Sequence, residues 1–321
     1  MGEINNVMND YMSQSERFAD FFNGTMFEGR NVVKPKGLKD ASEKYNQSVV
    51  VNPRTKERGK SVERIRDLKK IYEDKACFRI LGIEGQDYID YASGVRGAEY
   101  DIMEYRNQIK RLTKSTESKV TKSELFSRMN RTDRLIPTYT IWFYYGTEPY
   151  DGPRCLSDMM DFSENDEFRR YFSDYKLNVI CLNEIEDMSV FNTELRQLFK
   201  LMKCRENKEL MRQTLKNDKD YADINEDTLY TMSVTLGKPK LWEQREKYLK
   251  NEGEVNYNMC LAFEQIEEDA REEGREEGEN LLASLINKLL SSGRDKDISR
   301  VTTDVQYREK LYIQYGLKKS V

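Results

Sequence analysis

Two acidic residues and a neighbouring amide offer most of the chemistry in this sequence. The stretch 64–86 reads RIRDLKKIYEDKACFRILGIEGQ. Asp67 precedes a short apolar-rich run (68–72), and a second run (77–83) closes on Glu84-Gly85-Gln86. Glu73-Asp74-Lys75 separates the runs, which predicts a β-hairpin even without an Asn-Gly or Asp-Gly turn. In an antiparallel pair, the start of one strand lies beside the end of the next. The hairpin therefore predicts Asp67 beside Glu84. Two carboxylates at one sheet end suit a hard divalent cation, Mg²⁺ or Mn²⁺. Such a cation polarises a phosphodiester and acidifies a bound water. Gly85 lets backbone approach closely, and its carbonyl is a further ligand candidate. Gln86 shares a face with Glu84 by strand alternation, so its amide could orient the attacking water.

What the sequence lacks narrows the chemistry further. It contains no histidine, which removes Ser-His-Asp and Cys-His catalysis and His-ligated zinc. Acid–base work falls to Asp, Glu, Lys, Tyr or a metal-bound water. Five cysteines (Cys77, Cys155, Cys181, Cys204 and Cys260) are scattered without CxxC spacing and predict reduced, mostly buried thiols. The net charge of −4 averages an acidic C-terminal end against basic stretches elsewhere. Residues 1–23 have no basic n-region or apolar h-region, and no apolar run approaches the roughly 18 residues of a spanning helix. These features predict a cytoplasmic protein with no membrane association.

The elements that would position the acidic group follow from periodicity. Residues 15–28 carry Phe18, Phe21, Phe22 and Phe27 at helical intervals, with Ser13 or Ser15 as N-cap. Residues 34–60 are polar and hold two prolines, which predicts a loop. Tyr91, Val95, Ala98, Ile102, Tyr105, Ile109 and Leu112 form an apolar stripe at helical spacing, and the other faces carry Arg96, Tyr100, Asn107, Lys110 and Arg111. The run 135–145 (LIPTYTIWFYY) predicts a strand buried on both faces. Residues 156–171 predict a helix and 177–182 a short strand. Further helices are expected over about 190–215 and 226–249. From Tyr257 one long helix carries two REEG tetrads that place Gly274 and Gly278 on one stripe. Each glycine costs a helix roughly 1 kcal/mol, so this tail is expected to gain a partner as a homo-oligomerisation stalk. Two short helices, 281–290 and 297–315, should follow. The expected organisation is one α/β domain over 1–250 and a helical tail over 251–321.

Taken in order, the segments ERFADFFN, ILGIEGQ, YASGVRGAEYDIMEY and LIPTYTIWFYYGTEPYDGPRCLSDMMD, with the glycine-punctuated acidic tail, resemble the recombination-promoting nuclease (Rpn) family of transposase-like proteins over nearly the whole chain. Asp67 followed by Glu84-Gly85-Gln86 resembles the D…ExQ variant of the PD-(D/E)XK nuclease core, in which Gln replaces the usual Lys. The resemblance implies a mixed four-stranded sheet flanked by helices. It also implies Mg²⁺-dependent DNA endonuclease activity linked to recombination or mobile elements. The same chemistry would serve an anti-phage defence effector, and the same fold a non-catalytic module that binds nucleic acid or protein. The first helix of such nucleases often presents an acid to the metal. Glu16 and Asp20 lie one turn apart, and Asp20 is favoured. The helix after the ExQ strand often presents a polar group to the scissile phosphate; Arg96, Tyr100 and Gln108 are candidates. The basic stretch 110–134 is a candidate contact for DNA backbone. Two departures stand out: Gln86 removes a cation that would stabilise the pentavalent phosphate, and Arg66 stands where the motif has Pro.

Overall fold

One strand carries Glu84 and divides the protein into two chemically different halves. A computed structural model describes residues 2–41, 45–47, 62–64, 68–74, 77–114, 121–164, 166–249 and 256–318. Two helices, α1 (Glu3–Met12) and α2 (Ser15–Phe27), lead into β1 (Leu38–Asp40), and β2 (Tyr45–Gln47) and β3 (Val62–Arg64) pair with each other. The hairpin β4 (Leu68–Asp74) and β5 (Cys77–Gln86) follows, then α3 (Ser93–Lys114), α4 (Lys122–Ser127), β6 (Thr138–Tyr144) and β7 (Asn178–Cys181). The main sheet has the order β1-β4-β5-β6-β7. Its β1-β4-β5 part is antiparallel, whereas β6 and β7 run parallel to β5. A parallel neighbour requires a crossover, and α3 lies on the segment that makes it. The protein is thus an α/β fold with a five-stranded mixed sheet flanked by helices.

Side-chain alternation gives the sheet one apolar and one polar face. Leu81 and Ile83 of β5, with Ile141 and Phe143 of β6, enter a core shared with Met8, Tyr11, Phe18, Phe21 and Phe22 of α1 and α2. Phe143 is its aromatic centre, with ring centroids 4.7 Å from Phe21 and 5.2 Å from Phe199. Phe199 lies on α5 (Leu195–Lys203), and α6 (Lys208–Asn217), α7 (Glu226–Thr235) and α8 (Lys240–Glu243) extend the same core. The opposite face presents Lys69, Glu84, Gln86, Thr138, Thr140 and Trp142.

That polar face turns α3 around. The apolar stripe is not the buried side: Tyr91, Val95 and Ile102 are exposed, and Ala98, Tyr105, Ile109 and Leu112 are half-buried. Beyond Ser93 and Gly94 at its start, the buried positions are Gly97, Tyr100, Asp101, Glu104 and Gln108, which meet the polar side of the sheet. Gly97 allows the close approach, since a Cβ there would stand 2.7 Å from Leu177 and 3.2 Å from the Trp142 indole nitrogen.

Several local expectations are corrected. Residues 34–60 are not all loop, because Leu38–Asp40 pairs with β4 as the edge strand. The N-cap of α2 is Gln14, without a side-chain bond, while the Ser13 hydroxyl donates to the Asp10 carbonyl. Residues 156–171 form two short 3-10 turns, Leu156–Met159 and Glu167–Tyr171, instead of a helix. There Asp158 accepts from the Arg154 and Cys155 amides and Asp166 from the Phe168 amide, so local side-chain bonds outcompete helical ones. The 226–249 helix stops at Gly237, whose φ is +63°, and Pro239 follows it. The long helix α9 (Met259–Ser291) begins with Met259, Ala262 and Phe263 inside the main core. Its residues 271–280 are exposed, and among the described residues nothing approaches Gly274 or Gly278 within 4 Å. Beyond them Leu285 and Leu289 form a separate small core with α10 (Ile298–Thr303) and α11 (Val305–Gln314). Residues 281–290 therefore belong to α9.

Phe143 tests the apolar half. Phe143→Ala is expected to cost roughly 3–5 kcal/mol of stability, read as a lower urea midpoint by circular dichroism. A loss under about 1 kcal/mol would show that the aromatic centre does not hold this face.

Candidate functional site

Glu84 and Gln86 stand at the C-terminal end of β5, and both line one cleft with Asp90, Ser93, Trp142 and Tyr150. Their exposures are 1% and 7%. Register explains the neighbours, since Glu84 pairs with Trp142 and Gln86 with Tyr144 on the parallel strand β6. Burial pushes the Tyr150 phenol above its ordinary pKa, and its hydroxyl donates to the Pro153 carbonyl at 3.0 Å. The phenol at the cleft wall is thus a neutral hydrogen-bonding group at physiological pH.

Asp67 lies outside the described residues. Its chain neighbour Leu68 pairs with Ile83, the residue before Glu84. Backbone directions define what Gly85 offers. The Tyr145 amide donates to the Gln86 carbonyl and the Ile80 amide to the Pro137 carbonyl, both at 3.0 Å. Even-numbered residues of β5 therefore bond toward β6, and alternation turns the Gly85 carbonyl toward the β4 side. A carboxylate and a carbonyl are hard oxygen donors of the kind Mg²⁺ and Mn²⁺ take. Among the described residues, no group of three or more His, Cys, Asp or Glu stands in metal-holding geometry.

Glu104 and Lys69 escaped the sequence reading. The Lys69 ammonium lies 2.8 Å from a Glu104 carboxylate oxygen, bridging β4 to α3. A Lys on a short strand and a Glu on a charged helix look like surface residues. The available signal was spacing: Tyr100, Glu104 and Gln108 recur every four residues and so share one helical face.

The three α3 candidates divide. The Gln108 amide donates to the Ile136 carbonyl at 3.0 Å and accepts from the Ile136 amide at 2.7 Å, so it pins α3 to the entry of β6. Tyr100 packs with Trp142 and Leu177. Arg96 pairs with Asp90, donates to the Tyr100 hydroxyl at 3.4 Å, and stacks 5.5 Å from the Trp142 ring. Of the three, it carries a charge beside the Glu84 cleft. One turn along α3, buried Asp101 accepts from the Tyr175 hydroxyl at 2.6 Å.

Asp20 is engaged elsewhere. Its carboxylate accepts from the Asn192 amide (2.9 Å), the Thr193 amide (2.8 Å) and the Thr193 hydroxyl (2.7 Å). It thereby fixes the turn that leads into α5, on the apolar side of the sheet. Cysteine chemistry is muted too. Four described cysteines are free, and burial, with Glu184 nearby, pushes the Cys181 thiol up to about 11, leaving it protonated at neutral pH.

Asp20→Ala should therefore act on stability. Loss of a carboxylate that satisfies several turn amides is expected to cost roughly 2–3 kcal/mol, measured by urea titration. Unchanged stability would refute the capping role. No described helix is long and apolar enough to cross a membrane. No protein-family model matches this chain, and neither a curated protein nor a solved structure matches it.

Proposed function

We propose that this chain is a divalent-cation-dependent DNA endonuclease with a PD-(D/E)XK-type core. The observation that carries the proposal is the pairing of Glu84 with Gln86 at one buried, polar end of β5, opening to a shared cleft. Burying a carboxylate is costly unless a partner compensates it, and such groups gather at functional sites. The frame also supports the proposal: an antiparallel meander, a crossover through α3, and a parallel strand beside β5.

In this reading Asp67, Glu84 and the Gly85 carbonyl would hold Mg²⁺ or Mn²⁺. The cation supplies charge stabilisation to the phosphoryl oxygens and acidifies water. Gln86 orients the nucleophilic water through its amide, which accepts and donates without changing charge. Arg96, held by Asp90 and the Trp142 ring, faces the phosphate. Exposed Arg106, Lys110 and Arg111 on α3, with Arg128, Arg131 and Arg134 beyond α4, supply a sequence-independent grip on DNA backbone. A link to recombination, mobile elements or anti-phage defence follows from the resemblance alone.

The decisive assay is nicking of supercoiled plasmid with Mg²⁺ or Mn²⁺. Glu84→Ala and Asp67→Ala are expected to fold yet reduce cleavage to the level seen with EDTA. Gln86→Ala is expected to slow it on the order of 100-fold. Absence of metal-dependent cleavage of DNA by the wild-type protein would sink the proposal. Salt-sensitive DNA binding that needs no metal and survives Glu84→Ala would instead identify a binding module.

The same proposal includes self-association through α9, whose segment 271–280 is exposed with its glycine stripe open. Light scattering on the eluting wild-type protein should give a multiple of 38.0 kDa. Gly274→Leu with Gly278→Leu should return the monomer mass. A monomeric wild-type protein would remove this part.

A further inference from the structure

Ser93 is a buried hydroxyl with nothing to bond. It is 2% exposed, and among the described residues its Oγ finds no hydrogen-bond partner. A buried donor left unmade costs free energy, so the group calls for a use outside the fold. Its place supplies one. Ser93 lines the cleft that Glu84 and Gln86 share. It is also the first residue of α3, a helix of 22 residues with no acid in its first turn. The amides at a helix start have no intrahelical acceptor, and the helix dipole places partial positive charge there. That end suits an anion. Tyr150 on the same wall has its hydroxyl proton on the Pro153 carbonyl, so Ser93 is the hydroxyl still free to donate.

The cleft floor is small. It holds about 10 Å³, on the order of one water-sized atom. A nucleobase does not fit there, but a single oxygen projecting from a phosphodiester does. Glu84 and Asp90 also line the cleft, and Asp90 is engaged by Arg96 and by the Ala92 amide. An anion therefore enters together with a cation, not alone.

We infer that the Ser93 hydroxyl, backed by the α3 N-terminus, donates to the non-bridging phosphate oxygen that the divalent cation leaves free. The inference rests on the nuclease reading above and fills a gap in it. Gln86 stands where the motif has Lys, so no ammonium at that position meets the charge that builds on the phosphate in the transition state. A fixed donor aimed at that charge does the same work. With one oxygen on the cation and the other on Ser93, the two non-bridging oxygens become chemically distinct.

The test is single-turnover cleavage by the full-length protein of DNA carrying a phosphorothioate of defined configuration at a cut site mapped with the wild type. In the wild type, one diastereomer should be slow in Mg²⁺ and recover in Mn²⁺, which accepts sulfur more readily. The other should be slowed about tenfold with either ion, because sulfur is a weak acceptor. Ser93→Ala should cut all-oxygen DNA about 10- to 100-fold more slowly. It should cut the Mn²⁺-resistant diastereomer no more slowly than that, since the two changes remove one hydrogen bond. Its urea midpoint should equal or exceed that of the wild type, because the hydroxyl has no partner in the fold to lose. A lower midpoint or failure to fold assigns Ser93 a structural partner and overturns the inference. So do additive losses, a Ser93→Ala rate within about threefold of wild type, or a wild type with no Mn²⁺-resistant diastereomer. Wild-type protein that cuts no DNA overturns the nuclease reading as well, whereas wild-type cleavage with an unimpaired Ser93→Ala overturns the inference alone.

Discussion

A strand covered on both faces must find a partner for everything it carries, and β5 is such a strand. Its odd positions, Leu81 and Ile83, need only apolar company and find it in the α1–α2 side of the core. Its even positions include Glu84 and Gln86, buried to 1% and 7% exposure. Water cannot solvate them, so the element that covers them must be polar. That requirement reaches across the sheet to Lys69 of β4, to Thr138 and Thr140 of β6, and to the inward face of α3.

The orientation of α3 follows from magnitudes. Exposing Val95 and Ile102 forfeits about 1.5–3 kcal/mol for each large apolar side chain. Turning the helix to bury them would set an apolar surface against Lys69 and Glu84. An unpaired buried charge costs about 3–5 kcal/mol when its partner is removed, and here Lys69 would lose Glu104, along with the Gln108 bonds to Ile136 and the Tyr175 bond to Asp101. Polar complementarity wins, and the helix carries Val95 and Ile102 outward.

The same reasoning marks what was legible in the sequence. The β4–β5 hairpin and β6 were visible because period-two and all-apolar runs report burial directly. The shared face of Glu84 and Gln86 was visible because alternation is a geometric rule. The inward face of α3 was hidden, because helical periodicity marks the apolar side and assumes that the core it meets is apolar. Lys69 and Glu104 were hidden for the same reason: a charge in sequence looks like surface until the opposing charge is placed beside it. Asp20 sat on the expected helix, but the turn at 192–193 that uses its carboxylate is far off in sequence. The 156–171 segment has helix-compatible residues, yet Asp158 and Asp166 bond to backbone amides at the starts of two separate short turns.

Gln86 gains a rationale from this charge pattern. A lysine at that position would stand two residues from Glu84 on a face that already receives the Lys69 ammonium. Lys69 already meets Glu104 there, so an ammonium at position 86 would put a second cation on one buried face. An amide avoids that conflict while still offering a donor and an acceptor. In a fold whose α3 already supplies a carboxylate to Lys69, a neutral residue at position 86 adds no further buried charge beside Glu84.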